Sequence, residues 1–184
     1  PQLDIGGYHK YGSLGFSKYL GEELRFATVL SNRGCRARCT FCTVRDFNGF
    51  GVKMRSVENV IEEVRFLVRD KGIQCIDFLD DDLLWDPKRT VELLKGLAEQ
   101  VPELQWTSTN GLIAAAISEE IMHWMVESGI RGFNIGIESG NDKMLHLIKK
   151  PTTKAKLRDK RQLFRKYPEV FVIANFMIGF PNET

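Results

Sequence analysis

Apolar residues follow two alternating patterns along the chain, short continuous runs and longer stretches with helical spacing. The short runs predict five buried strands at residues 24–31, 75–79, 104–109, 132–137 and 170–178. Between them, apolar residues spaced three and four apart predict helices at 56–71, 86–100, 118–129, 142–149 and 153–167. Strands that alternate with helices in this way predict a parallel sheet covered by helices.

Capping residues mark the ends of several predicted helices. Ser56 and Ser118 can accept a hydrogen bond from the first helical turn, and the pair Asp86-Pro87 combines a capping side chain with a first-turn proline. Gly72 and Gly129 follow the last apolar residues of two helices, where a left-handed backbone is favoured. The helix boundaries are therefore predicted independently of the apolar pattern.

Polar clusters follow the C-terminal end of each predicted strand. They are residues 35–42, 80–82, 108–110, 138–139 and 179–183. A doubly wound sheet and a barrel both fit the alternation, but barrels build their active sites from the loops at this rim. We favour an α/β fold that is a partial (β/α) TIM-type barrel with parallel strands, truncated after about the fifth strand. A sixth strand is expected beyond residue 184.

Length and charge bound the domain organisation. Residues 25–184 predict one domain, and residues 1–24, with scattered glycines and aromatics, predict a leading segment or linker from a missing upstream domain. The net charge is +2, from 26 basic and 24 acidic residues, so nucleic-acid binding gains no electrostatic support. No apolar run is long enough for a membrane span and no signal peptide is visible, which predicts a cytoplasmic protein with reduced cysteines.

Three of the four cysteines form a close motif. Cys35, Cys39 and Cys42 have the spacing C-x3-C-x2-C, Gly34 permits a sharp turn before the first of them, and Phe41 can shield a bound group from water. Iron–sulfur cubes normally take four cysteine ligands. Three thiolates on one short loop therefore indicate a [4Fe–4S] cluster with one iron open to another ligand.

The motif has three other interpretations. A disulfide suits secreted proteins, and a zinc site usually needs a second cysteine pair or histidine partners, which the chain lacks. Ordinary buried thiols are the third. Cys75 lies in an apolar strand and is interpreted as a core residue rather than as a fourth ligand.

The cysteine loop and the strand pattern resemble the radical S-adenosylmethionine (radical SAM) superfamily over about residues 24–184. The resemblance implies that the amino and carboxylate groups of SAM chelate the open iron. It also implies that an external electron donor reduces the cluster, which cleaves SAM to a 5′-deoxyadenosyl radical that takes a hydrogen atom from the substrate. No catalytic side chain of this chain is assigned.

The same resemblance implies SAM contacts at the strand ends. Asp80, Asp81 and Asp82 stand where the family has a Gly-Gly-Glu-like motif for the SAM amino group, although the glycines are missing. Glu138 and Ser139 follow the fourth strand, where ribose is bound. The alternative is that the aspartates cap a helix or loop and that Glu138 is structural.

Two further strand ends complete the predicted SAM site. Ser108 or Asn110 follows the third strand, near the SAM carboxylate, and Gly179 belongs to a motif beside the adenine. Phe41 belongs to the cofactor site as the aromatic residue before the last cysteine. Turn residues are the alternative interpretation for Ser108, Asn110 and Gly179.

The motifs around residues 78–82, 136–140 and 178–184 resemble most the branch with a cobalamin-binding domain upstream. That branch implies methylation or cyclisation of a small-molecule, lipid or natural-product substrate, with cobalamin bound by a domain not in this chain. The alternative enzyme is a methylthiotransferase acting on tRNA or protein, which shares the cysteine loop and Arg55-Ser56. The non-enzyme alternative is a metal-stabilised binding module.

Overall fold

The computed structural model describes residues 24–183. Its strands, in chain order, are β1 (Phe26–Val29), β2 (Asn32–Arg33), β3 (Lys53–Met54), β4 (Cys75–Phe78), β5 (Gln105–Leu112), β6 (Ile130–Glu138) and β7 (Phe171–Phe176). All five strands predicted from the apolar runs are present, and β2 and β3 form an additional antiparallel ribbon. The predicted leading segment lies outside the described residues, except for residue 24.

Six α-helices connect the strands of the described region. They are α1 (Val44–Asn48), α2 (Val57–Arg65), α3 (Pro87–Gln100), α4 (Glu119–Glu127), α5 (Asp142–Leu147) and α6 (Lys154–Phe164). A π-helical turn, Phe66–Asp70, extends α2, and a 3-10 turn, Ala114–Ala116, precedes α4. Each predicted helix is confirmed, whereas α1 was not predicted.

The predicted caps form as expected. The side chains of Ser56 and Ser118 accept hydrogen bonds from the third residue after each, and Asp86 accepts from two backbone N–H groups of α3. Gly72 and Gly129 have φ of 62° and 90°, the left-handed conformation that ends a helix without strain. Local chemistry therefore fixes where these helices begin and end.

The strand order of the main sheet decides between the two predicted architectures. Its order is β1-β4-β5-β6-β7, and every neighbouring pair is parallel. A doubly wound sheet reverses its order at a switch point, and this sheet does not. Right-handed crossovers in one continuous direction place all helices on one side, as in a barrel. The prediction of a partial barrel is confirmed, and the sheet of residues 24–183 is open rather than closed.

The core lies between this sheet and its helices. Phe78 and Trp106 meet edge to face at 5.5 Å, and Trp106 donates its indole N–H to Ser128 Oγ at 3.0 Å. Cys75 is also buried, as expected for a strand residue in the core. No helix within the described region is long and apolar enough to cross a membrane.

Candidate functional site

The three cysteines of the motif lie on the loop between β2 and α1, at the C-terminal rim of the sheet. Gly34 precedes the loop with φ of 94°, and a Cβ atom there would lie 2.2 Å from the carbonyl oxygen of Gly51. Glycine is therefore required where the two ends of the loop approach each other. Inside the loop, Cys42 N donates to Cys39 O at 3.2 Å, which folds the last two cysteines into a turn.

A cavity of about 320 Å³ opens against this loop. All three cysteines line it, and so do four other residues that the sequence had singled out: Phe41, Asp81, Asn110 and Glu138. The Phe41 ring packs at 5.7 Å from the ring of Phe180, which follows β7. The cysteine loop therefore meets residues at or just after the C-terminal ends of β4, β5 and β6 around one cavity, as expected for the rim of a barrel.

Asp80 holds the start of the cysteine loop. It is fully buried, and its carboxylate accepts hydrogen bonds from Ser31 N at 3.0 Å, Ser31 Oγ at 2.5 Å and Asn32 N at 2.7 Å. Burial raises the pKa of the Asp80 carboxyl, while the hydrogen bonds from Ser31 and Asn32 oppose that rise. This carboxylate is directed toward the protein backbone rather than into the cavity.

The next two aspartates hold later points of the same loop. Asp81 Oδ2 accepts from Gly34 N at 2.8 Å and from Asn48 Nδ2 at 2.7 Å. Asp82 binds Arg36 through both oxygens, with Nε to Oδ2 at 2.6 Å and Nη2 to Oδ1 at 2.8 Å. Three consecutive carboxylates thus fix three successive parts of the loop that carries the cysteines.

Glu138 forms an ion pair inside the cavity. Lys150 Nζ lies 2.8 Å from Glu138 Oε1, and both side chains are largely buried, with 17% and 10% exposure. Glu138 has φ of 64°, a strained conformation for a residue other than glycine, at a register shift between β6 and β7. Such strain is typical of functional sites, where the surrounding structure maintains it.

Gly136 provides the space for this ion pair. A Cβ atom at Gly136 would lie 2.3 Å from Glu138 Oε1 and 2.7 Å from Lys150 Nζ. Both side chains would therefore have to move if residue 136 carried any side chain.

Burial disfavours the ionised form of three thiols, Cys35, Cys39 and Cys75. It raises the pKa of Cys35 and of Cys39; a hydrogen bond from Ala37 N–H opposes the rise at Cys35, and the charge of Lys150 opposes it at Cys39. In the core, burial raises the pKa of Cys75 to about 12. All four cysteines are free thiols.

Five predicted site residues do not line this cavity: Asp80, Asp82, Ser108, Ser139 and Gly179. Ser108 is buried, and its Oγ has no hydrogen-bond partner within residues 24–183. Ser139 Oγ accepts from Asn141 N at 3.2 Å, and Gly179 N donates to Glu183 Oε2 at 2.7 Å, so both contribute to turns. Their roles toward a bound cofactor stay predictions.

Sequence reasoning missed three polar residues that line the cavity, Arg45, Lys150 and Asn175. Lys150 stands in a charged stretch after a short helix, and only the fold brings it to Glu138, 12 residues earlier. Asn175 lies in the predicted fifth strand, where every second side chain faces the same side of the sheet. This alternation of side-chain direction could have identified Asn175 as a residue of the cavity.

The donor set fits a cluster better than a single ion. Within residues 24–183, no three His, Cys, Asp or Glu side chains converge closely enough to hold one metal ion. The three free thiols nevertheless line one cavity, and polar groups line the same space. Thiolates at separate points around a cavity suit an iron–sulfur cube, which has one ligand per iron.

A comparison with known families matches residues 29–184 to the radical SAM superfamily. The chain belongs to the radical SAM superfamily. This confirms the resemblance that the cysteine loop and strand pattern had indicated.

Curated relatives include methyltransferases and methylthiotransferases. The chain is 30% identical over 174 residues to an uncharacterized methyltransferase of Pyrococcus horikoshii, covering 95% of this chain and 37% of that protein. It is 36% identical over 128 residues to the cytidylyl-2-hydroxyethylphosphonate methyltransferase of Streptomyces wedmorensis, covering 69% of this chain and 24% of that enzyme. It is 29% identical over 167 residues to the ribosomal protein uS12 methylthiotransferase of Desulfotalea psychrophila, covering 86% and 37%. The chain thus spans about a third of these relatives.

A solved structure shares the radical SAM fold. The radical S-adenosylmethionine methyltransferase TsrM from Kitasatospora setae, solved with cobalamin and a [4Fe–4S] cluster bound, superposes with a TM-score of 0.78 at 19% identity. The match covers 88% of this chain and 32% of that protein. At this identity the likeness supports the fold alone.

Proposed function

We propose that this chain is the catalytic core of a radical SAM enzyme, with a [4Fe–4S] cluster held by Cys35, Cys39 and Cys42. The observation that carries the proposal is that three free thiols and polar residues from the C-terminal ends of three strands line one cavity. When bound, the reduced cluster supplies the electron that cleaves SAM to a 5′-deoxyadenosyl radical for modification of the substrate. The electron comes from an external donor, in the reducing cytoplasm.

Different side chains around the cavity bind different groups of SAM. Glu138 accepts hydrogen bonds from the ribose hydroxyls, because its carboxylate lines the cavity and is held by Lys150. Asp81 accepts a hydrogen bond from the SAM ammonium through Oδ1, because this oxygen makes no hydrogen bond with residues 24–183. Asn110 also lines the cavity and lies near the SAM carboxylate. Phe41 and Phe180 exclude water from the edge of the site.

Asp80 and Asp82 serve the site indirectly. Their carboxylates are bound to Ser31, Asn32 and Arg36, which begin or belong to the cysteine loop. Their role is therefore to hold the ligand loop in shape, while any contact with SAM from this strand end comes from Asp81 or from backbone carbonyls.

The reaction class is a cobalamin-associated methylation or cyclisation of a small-molecule, lipid or natural-product substrate. The support is the likeness to the phosphonate methyltransferase and the shared fold of TsrM. Cobalamin is assigned to an upstream domain of the whole protein, because the branch that the motifs at residues 78–82, 136–140 and 178–184 resemble carries its cobalamin-binding domain there. The near-neutral net charge of +2 gives no support for a nucleic-acid substrate.

The deciding experiment reconstitutes the full-length protein with iron and sulfide without oxygen. Electron paramagnetic resonance of the reduced sample is then recorded with and without SAM. A cubane signal that changes on adding SAM supports an open iron. Substitution of Cys35, Cys39 or Cys42 by alanine abolishes cluster loading, and Cys75→Ala, the matched control in the core, retains it. Full iron content in any of the three ligand variants contradicts the ligand assignment.

A methylthiotransferase is the second candidate. The likeness to the uS12 methylthiotransferase over 86% of this chain favours it. Such an enzyme needs a second iron–sulfur cluster from another domain, whereas the first candidate needs cobalamin. Iron and cobalt analysis of the full-length protein after purification distinguishes them: two clusters and no cobalamin favour the methylthiotransferase, and one cluster with cobalamin favours the first candidate.

A further inference from the structure

Residues 148–150 join the cysteine loop to the end of β6. Ile148 O accepts from Thr40 N at 3.0 Å, and Lys149 O lies 3.9 Å from Cys39 Sγ. Lys150 N donates to Leu145 O at 2.9 Å, which fixes the start of its side chain against α5. This segment therefore contacts the middle cysteine through its backbone and places the side chain of Lys150 at a defined position in the site.

Lys150 and Glu138 carry opposite charges beside the three cysteines. Both side chains line the same cavity as Cys35, Cys39 and Cys42. The exposed fractions of 17% and 10% mean that water and salt screen these charges weakly. Each charge would therefore act on the thiolates of a bound cluster, and removal of one would leave the other uncompensated beside them.

Among residues 24–183, no other lysine or arginine both lines the cavity and forms an ion pair inside it. Arg45 also lines the cavity, but its guanidinium stacks over the exposed Phe50 ring at 4.7 Å. Arg36 is bound to Asp82 on the other side of the loop. Among residues 24–183, Lys150 is thus the cation that combines an ion pair inside the cavity with a backbone contact to the ligand loop.

We propose that Lys150 is a positioning residue with two effects: it holds the Glu138 carboxylate in place for SAM, and its charge raises the reduction potential of the cluster. The inference rests on the proposed function. Reduction adds one electron to the cluster from a low-potential one-electron donor, and a nearby cation stabilises the more negative state.

The test is a redox titration of the full-length reconstituted protein without SAM, with the reduced cluster followed by electron paramagnetic resonance. Lys150→Met leaves the Glu138 carboxylate uncompensated, so the midpoint potential shifts downward. Glu138→Gln leaves the ammonium uncompensated, so the potential shifts upward. Lys150→Arg retains the wild-type potential. Lys149→Met is the matched control, because Lys149 is the neighbouring, exposed lysine and its side chain does not line the cavity. This control leaves the midpoint potential at the wild-type value.

A second measurement is the dissociation constant of SAM. Lys150→Met weakens binding about tenfold, because a hydrogen bond to a charged group loses its orientation, and Lys149→Met does not. A purely structural role would not move the potential in opposite directions in Lys150→Met and Glu138→Gln.

Two outcomes overturn the inference. One is a Lys150→Met protein whose midpoint potential equals that of Lys149→Met. If Lys150→Met does not load a cluster, the inference is instead overturned by a Glu138→Gln protein whose midpoint potential is at or below that of the wild type. The other is a wild-type protein that builds no cluster, or one blind to SAM, which overturns the proposed function as well. A wild-type cluster that responds to SAM, with potentials unmoved in the variants, overturns the Lys150 inference alone.

Discussion

Removal of the Arg36 charge tests whether the cysteine loop is held by a buried ion pair. The Asp82 side chain has no exposed area. Its carboxylate accepts hydrogen bonds from Arg36 Nε and Nη2 and from the Arg36 backbone N–H, the last at 3.2 Å. Methionine at position 36 retains a flexible apolar side chain near the ring of Trp85, over which the guanidinium lies at 5.0 Å. Arg36→Met therefore removes chiefly the charge and its hydrogen bonds.

The expected loss follows from the burial of Asp82. Breaking one partner of a buried ion pair costs about 3–5 kcal/mol, because the remaining charge is left uncompensated. Arg36 is 28% exposed, so water reaches part of the site and we expect about 2–4 kcal/mol. With a urea slope of about 2 kcal/mol per molar, the unfolding midpoint falls by about 1–2 M.

A double-mutant cycle separates the ion pair from other effects. Asp82→Asn removes the buried charge but retains the shape of the side chain, so Arg36→Met/Asp82→Asn should be more stable than Arg36→Met alone. The coupling free energy, measured by urea unfolding of the apo protein with far-ultraviolet circular dichroism, is then about 2 kcal/mol. Iron content after reconstitution reports in parallel whether the loop still holds its cysteines in position.

The control is an exposed ion pair of the same protein. Lys166 and Glu119 lie 2.5 Å apart, with 60% and 76% of their side chains exposed, so Lys166→Met leaves the unfolding midpoint unchanged within error. Two results would refute the reasoning: Arg36→Met with the midpoint of the wild type, or a cycle in which the effects of Arg36→Met and Asp82→Asn simply add.

Two further predictions concern the cavity and the core. Gly136→Ala displaces the Glu138–Lys150 pair, so SAM binding weakens. Gly140→Ala, where a Cβ meets nothing within 4 Å, leaves SAM binding unchanged, and equal SAM affinity in both variants contradicts the prediction. Cys75 resists alkylation at pH 8 until the apo protein is unfolded, whereas the exposed Cys42 reacts at once; equal rates for both in the folded protein contradict this. The pKa of the Cys75 thiol is 9.0 in the unfolded chain and about 12 in the native protein, so unfolding releases a proton between these pH values. The free energy of unfolding therefore falls as the pH rises through this window, and Cys75→Ala makes that fall smaller.

The fold was largely predictable because its signals are local. The second predicted strand, 75–79, is observed as Cys75–Phe78, and the helix predicted at 86–100 is observed as Pro87–Gln100. In contrast, α1 has five residues and none of them is buried, so it offers no apolar periodicity to detect. The ribbon of β2 and β3 has two residues per strand, too few for an alternating pattern.

The choice between a barrel and a doubly wound sheet needed the tertiary structure. Both architectures have the same alternation of strands and helices, and they differ only in strand order. The position of polar clusters at strand ends favoured the barrel, and the order β1-β4-β5-β6-β7 decided it.

The sequence by itself determined the cysteine motif, because Cys35, Cys39 and Cys42 lie within eight residues and their spacing carries the chemistry. Only the tertiary structure decided which groups the three aspartates and Glu138 contact. Asp80, Asp81 and Asp82 meet partners 49, 47 and 46 residues away, at three successive points from Ser31 to Arg36, just before and within the cysteine loop. The direction of a side chain and the identity of a distant partner depend on how the strands assemble, and no local pattern encodes that assembly.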